Sequence, residues 1–122
     1  MQIAISLEDN GGMDAKASSI FGRCAFFMIV DSESEVFEIK ANTARQASGG
    51  AGIQAAQWII DRGVTAVITG NLGPKAFDVL STGKIAAFKH NGGSANDALK
   101  AYQQDALESL IAPNVSAHSG SK

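Results

Sequence analysis

Apolar residues along this chain fall into short runs of two spacings. Ile3, Ile5 and Leu7 alternate with Ala4 and Ser6, the period-two pattern of a strand. Residues 25–30 are a continuous apolar run, as in a central strand. After a polar turn at 31–35, Val36, Phe37 and Ile39 supply a further strand, and the two runs predict a hairpin. A helix is predicted from the glycine-rich stretch 48–52 to Arg62, with Ile53, Ala56, Ile59 and Ile60 inward and Gly63 as its stop. The β-branched stretch 64–69 predicts the next strand. Pro74 marks the start of a second helix, which carries Ala76, Phe77 and Leu80 inward, stops near Gly83 and leads to a last strand at 84–88. Ser94 and Asp97 have the spacing of a capping box. They open a third helix whose Ala95, Ala98, Leu99, Tyr102, Ala106 and Leu110 continue one face as far as Pro113.

The order is three strands, then helix–strand–helix–strand–helix. A hairpin makes the second strand antiparallel, and the later crossovers demand parallel neighbours. The expectation is a three-layer α/β domain on a mixed five-stranded sheet. Residues 1–112 form that domain, and residues 113–122, rich in Ser, Ala and Gly, form a flexible tail.

This topology places four loops at one edge of the sheet: residues 8–23, 41–50, 70–75 and 89–93. Open α/β sheets bind ligands at that edge. The first loop offers Asn10, Gly12, Met13, Lys16, Gly22 and Arg23. The second offers Asn42, Arg45, Gly49 and Gly50, with Gly52 just inside the helix; the third offers Asn71, Gly73 and Lys75, and the fourth Lys89 and His90. Glycines admit a ligand close to backbone N–H groups, and the amides of residues 50–53 sit at a helix N-terminus, a favourable place for an anion. The expectation is a cationic, glycine-rich cleft for a polyanion. Turn geometry and solvated surface charge are the competing explanations for the single residues. His90 is the one candidate for direct metal ligation, against an ordinary loop role. Cys24 begins an apolar run and is expected to pack; Met28 is expected in the core, while Met13 could touch a soft, sulfide-coated ligand.

Composition narrows the classes. With 122 residues, one domain is expected, and a net charge of −2 with few aromatics gives no sign of a nucleic-acid partner. One cysteine cannot form an internal disulfide or build a thiolate cage. No run approaches a bilayer span and no leader pattern opens the chain. The protein is expected to be cytoplasmic, thiol-reduced, without a membrane partner and monomeric. A two-metal nuclease would need carboxylates on the sheet, yet the fourth strand ends in Thr69-Gly70-Asn71. A flavin or nucleotide binder would seat phosphate at 49–52, but no Walker or dinucleotide pattern directly follows a strand. A ligand-free regulatory or scaffold module is the remaining alternative.

Four segments carry a family resemblance: residues 1–5 (Met-Gln-Ile-Ala-Ile), 21–27 (Phe-Gly-Arg-Cys-Ala-Phe-Phe), 49–52 (Gly-Gly-Ala-Gly) before a helix, and 63–76, from Gly63-Val64 through Gly70-Asn71-Leu72-Gly73-Pro74-Lys75-Ala76. In this order, and over residues 1 to about 105, the chain resembles the dinitrogenase iron–molybdenum cofactor biosynthesis family, which includes nitrogenase accessory and orange-protein branches. The resemblance implies a ribonuclease-H-like fold with sheet order 3-2-1-4-5. It implies non-catalytic binding, storage or transfer of a metal–sulfur cluster, either a molybdenum–copper sulfide or a related molybdenum- or iron–sulfur cluster, with cluster-donor or acceptor proteins as further partners. Members that ligate the nitrogenase cofactor often carry His before the Phe-Gly pair. Here that position is Ile20. The implied mode is therefore a cradle of amides and cations around a prebuilt cluster, as in the orange-protein branch.

Overall fold

A computed structural model describes residues 1–115. The elements are β1 (Gln2–Leu7), β2 (Phe26–Asp31), β3 (Phe37–Ala41), α1 (Ala51–Asp61), β4 (Ala66–Thr69), α2 (Pro74–Thr82), β5 (Ala86–Lys89), α3 (Ala95–Gln103) and β6 (Glu108–Ser109). They form one mixed sheet in the order β3-β2-β1-β4-β5-β6. Ile5 pairs antiparallel with Met28 on one side and parallel with Ile68 on the other. The parallel pairing continues from Ile68 to Phe88. The three-layer α/β expectation holds, with one more strand than the five predicted.

Every residue from Ile3 to Leu7 is fully buried. The alternation in β1 is therefore large against small, between two covered faces. Ala4, Phe27, Ile29, Val67 and Ala87 face α1 and α2, while Ile3, Ile5, Leu7, Met28, Val30 and Ile68 face α3. Fully burying each larger side chain contributes about 1.5–3 kcal/mol. Phe27 also stacks on Trp58, ring centroids 5.8 Å apart.

Three local expectations change. α1 turns Ala51, Ala55, Ala56 and Ile59 inward and leaves Ile53 40% exposed. Small residues let this helix approach the sheet closely, so the inner face is read from alanines. Gly83 follows α2, but Lys84 takes the left-handed conformation (φ 60°). A Cβ at residue 83 would come within 2.8 Å of the Ile60 Cδ1, so glycine there serves helix–helix packing. The third helix does not continue to Pro113. Its capping box forms as expected, but the helix ends at Gln103 and Asp105 adopts φ 56°. The chain then reverses, pairs Lys89 with Glu108, and delivers Leu110 to the cluster on the α1–α2 face. Ala106 is exposed and Leu107 packs on the α3 face in its place.

At the opposite edge, Asp31 fastens the β2–β3 turn. Its Oδ1 accepts from the Glu33 and Ser34 amides, both at 2.9 Å. These two bonds hold its carboxyl down to about 2. No helix among the described residues is long and apolar enough to cross a membrane. Of the expected tail, residues 116–122 lie outside the described residues.

Candidate functional site

The C-terminal ends of β1, β4 and β5 carry a buried polar layer, of which the sequence reading singled out His90 alone. Ser6 Oγ donates to the Ser18 carbonyl (3.0 Å) and meets Thr69 Oγ1 (2.8 Å). His90 Nε2 lies 2.7 Å from the same carbonyl, and its Nδ1 accepts from the Gly92 amide at 3.0 Å. With Nδ1 accepting, Nε2 is the ring nitrogen placed to donate to the Ser18 carbonyl. Both ring nitrogens are occupied and the residue is buried, so His90 pins the first loop to the fourth and presents no lone pair to a metal. Polar residues at the last inward positions of two strands, Ser6 and Thr69, were the available signal.

Above this layer the loops touch backbone to backbone. A Cβ on Gly70 would lie 2.5 Å from the Ser19 Cα, and one on Gly22 would lie 2.7 Å from the Gly52 nitrogen. Asn71 Nδ2 donates to the Ser19 carbonyl at 3.0 Å. Asn42 is buried, and its Nδ2 donates to the carbonyls of Gly22 and Cys24, both at 2.9 Å, while its Oδ1 caps the following turn through Ala44. Asn42 and Asn71 thus staple loops together.

The open part of the edge lies on the α1–α2 side. Gly50, at φ 70°, starts α1, and a Cβ on Gly49 or Gly50 would meet nothing within 4 Å. A Cβ on Gly52 would sit 3.2 Å from that of Ala76, so the first turns of α1 and α2 lie side by side. Gly73 caps α2 and Lys75, exposed, stands in its first turn. Arg23 Nη1 donates to the Arg45 carbonyl at 2.8 Å, which ties the loop that carries exposed Arg45 to Arg23, the residue after Gly22. Two parallel helix N-termini flanked by three cations make a site of positive potential rich in N–H donors.

Several predicted residues lie elsewhere. The turn at 12–14 leaves the edge and drapes over the α3 face. Met13 packs against that core, and a Cβ on Gly12 would come within 3.8 Å of the Phe37 ring. Asn10 is exposed beside Asp9, whose carboxylate accepts from the Gly11 and Lys16 amides. Lys16 bridges to Ser94 through its backbone, and its Nζ lies 3.9 Å from Glu8. Lys89 stands opposite Glu108 in the sheet. Cys24 is buried and its thiol is pushed up to about 12, first by burial. Among the described residues, no group of three or more His, Cys, Asp or Glu is placed to hold a metal ion.

Asn114 falls within the expected tail, 113–122. It clasps the third loop: its Oδ1 accepts from the Leu72 amide (2.6 Å), its Nδ2 donates to the Gly70 carbonyl (3.2 Å), and its amide donates to the Leu72 carbonyl (3.1 Å).

The fold and the sequence have counterparts among known proteins. The chain is 37% identical over 111 residues to an uncharacterized protein of Methanocaldococcus jannaschii, covering 88% of this chain and 90% of that one. Its fold is similar to that of the apo orange protein of Desulfovibrio gigas, with a TM-score of 0.89, 30% identity, and 93% and 96% of the two chains covered. It is also similar to a Thermotoga protein of the DUF35 family, with a TM-score of 0.80, 27% identity, and 93% and 97% coverage. The family model described as dinitrogenase iron-molybdenum cofactor matches residues 1–105. With that match running through every strand but the last, the chain belongs to the dinitrogenase iron-molybdenum cofactor family.

Proposed function

We propose that this protein holds a prebuilt molybdenum-containing metal–sulfur cluster, of the molybdenum–copper sulfide type, without covalent bonds and without catalysing a reaction. The observation that carries this reading is the side-by-side placement of the first turns of α1 and α2, with Lys75 in the latter and Arg23, bonded to the Arg45 carbonyl, next to the Gly22 that touches Gly52, beside open space at Gly49 and Gly50. Family membership and the likeness to the orange protein support a role in binding or handling a metal cluster.

The cluster enters as cargo. Thiomolybdate units bring their own sulfide, and soft copper or iron between them is satisfied by sulfur. The chain then needs no ligand constellation of its own. What remains is to neutralise charge, donate N–H groups to sulfur and limit water. The amides of residues 50–53 and of the first turn of α2 supply donors. The three cations supply potential, with charge-assisted bonds fixing orientation. Ile53, exposed in the first turn of α1, adds apolar surface there. Retention should weaken with salt, because the cations stand at the rim. Storage, or transfer to a donor or acceptor protein, follows from a hold that breaks no metal–ligand bond on release.

The test is direct. Apo protein is mixed with tetrathiomolybdate and a copper salt, desalted, and its visible spectrum and metal content are measured. A stoichiometric coloured complex is the expected result. Flow-through of all colour, or a yellow flavin retained on purification in its place, would overturn the reading.

A further inference from the structure

Among the described residues the sheet ends on one side in β3, an edge strand whose outer backbone groups have no neighbouring strand. We propose that this edge pairs antiparallel with the same edge of a second copy of the chain, about a two-fold axis through Ile39. The occupant follows from the order of residues. The Asp31 amide donates to the Val36 carbonyl, and the Asn42 amide donates to the Ala25 carbonyl, so the even-numbered residues 36, 38, 40 and 42 aim their N–H and C=O groups at β2. Phe37, Ile39 and Ala41 aim theirs outward.

Folding the sequence Phe37-Glu38-Ile39-Lys40-Ala41 back on itself about Ile39 sets Ile39 opposite Ile39 and Phe37 opposite Ala41. All three pairs are then the hydrogen-bonded kind, using the outward groups. Glu38 falls opposite Lys40 twice, in the closer, non-hydrogen-bonded positions where cross-strand charge pairs interact best. Glu38 and Lys40 are both exposed and share one face, while Ile39 is half-buried and Phe37 is 41% exposed on the other. A shift of register by two residues would set Glu38 opposite Glu38 or Lys40 opposite Lys40.

The edge is also bounded. Glu35, at φ 64°, precedes it and the turn Thr43–Gln46 follows it, so pairing stops after 5 residues. An isologous contact of this kind closes on itself and does not grow into fibres. So short a paired segment belongs among small, reversible interfaces. This edge replaces the monomer expected from sequence with a concentration-dependent dimer, joined on the side of the sheet away from β5 and β6. It stands independently of the cargo reading.

Sedimentation of the full chain over about 10 µM to 1 mM, a range suited to small interfaces, should show a monomer–dimer equilibrium. Glu38→Lys and Lys40→Glu should each weaken self-association about tenfold or more, because both cross-strand pairs become like-charged. A 1:1 mixture of the two variants should recover a heterodimer, since a chain with lysine at both positions then faces a chain with glutamate at both. Circular dichroism of each variant confirms that it is folded. On raising the concentration, the amides of Phe37, Ile39 and Ala41 should gain exchange protection while those of Glu38 and Lys40, already bonded to β2, do not change. A mass that stays at one chain across the range overturns the proposal. So does a dimer that both charge variants leave intact, which would place the contact, or a foreign-strand site, elsewhere.

Discussion

Gly22 and Gly52 meet backbone to backbone. A Cβ on Gly22 would lie 2.7 Å from the Gly52 nitrogen and 2.8 Å from its Cα. This contact seats the first loop against the α1 N-terminus and brings Arg23 to the rim. Gly22→Ala should therefore push the loop off the helix, at a cost of about 1–3 kcal/mol, the range for overpacked sites. Gly49→Ala, with open space around it, should leave stability within about 0.5 kcal/mol of wild type. Urea denaturation of the two variants checks the contrast; equal losses would mean that the contact is not tight.

Asn42, a cleft candidate by sequence, uses both ends of its side-chain amide on the chain itself. Replacing it by Ala leaves two carbonyls without their donor and removes a cap. The expected loss is about 1–3 kcal/mol, with weaker cluster retention as a consequence of a loosened loop. Asn42→Asp should be at least as damaging, because an acceptor would then face the Gly22 and Cys24 carbonyls. Thermal melts of both variants decide this, and a stable Asn42→Asp protein would argue against the staple.

The strands and the edge at which the loops gather were legible because both depend on period and order, which are local. Three things were not. The end of α3 was hidden because residues 104–110 keep an apolar spacing compatible with a helix, while Asp105, at φ 56°, is a weaker stop signal than a glycine would be. The split of the candidate residues was hidden because a loop as long as residues 8–23 can lie along an edge or fold over a face; the packing of Met13 beside α3 selected the latter. The roles of Asn42, Asn71 and His90 were hidden because their partners are carbonyls of distant loops, which carry no sequence signature.

The rim cations differ in what they do for the fold. Lys75 is exposed in the first turn of α2, whereas Arg23 also holds the Arg45 carbonyl. Lys75→Ala should leave the melting temperature nearly unchanged and weaken cluster retention. Arg23→Ala should weaken retention as well, and should lower stability by about 1 kcal/mol through the lost bond. The measurement is molybdenum retained after desalting at low and high salt. Retention that neither substitution alters would place the cargo away from this rim.

Cys24 stands next to Arg23 in sequence, but its thiol is turned into the core and is no cluster ligand on this account. Its Sγ donates to the Phe26 carbonyl at 3.3 Å. Burial disfavours the thiolate and raises the group from 9.0 to about 12. The folded chain therefore binds this proton more tightly than the unfolded chain. The associated stability is fully present below the unfolded value of 9.0 and is lost as pH rises from there toward about 12. In Cys24→Ala that alkaline slope should flatten, which denaturation midpoints measured at intervals above about pH 9 would show. Native protein at neutral pH should react with iodoacetamide far more slowly than the unfolded chain. The same variant should take up the coloured cluster at wild-type stoichiometry. Loss of uptake in a folded Cys24→Ala protein would return the thiol to the list of ligands.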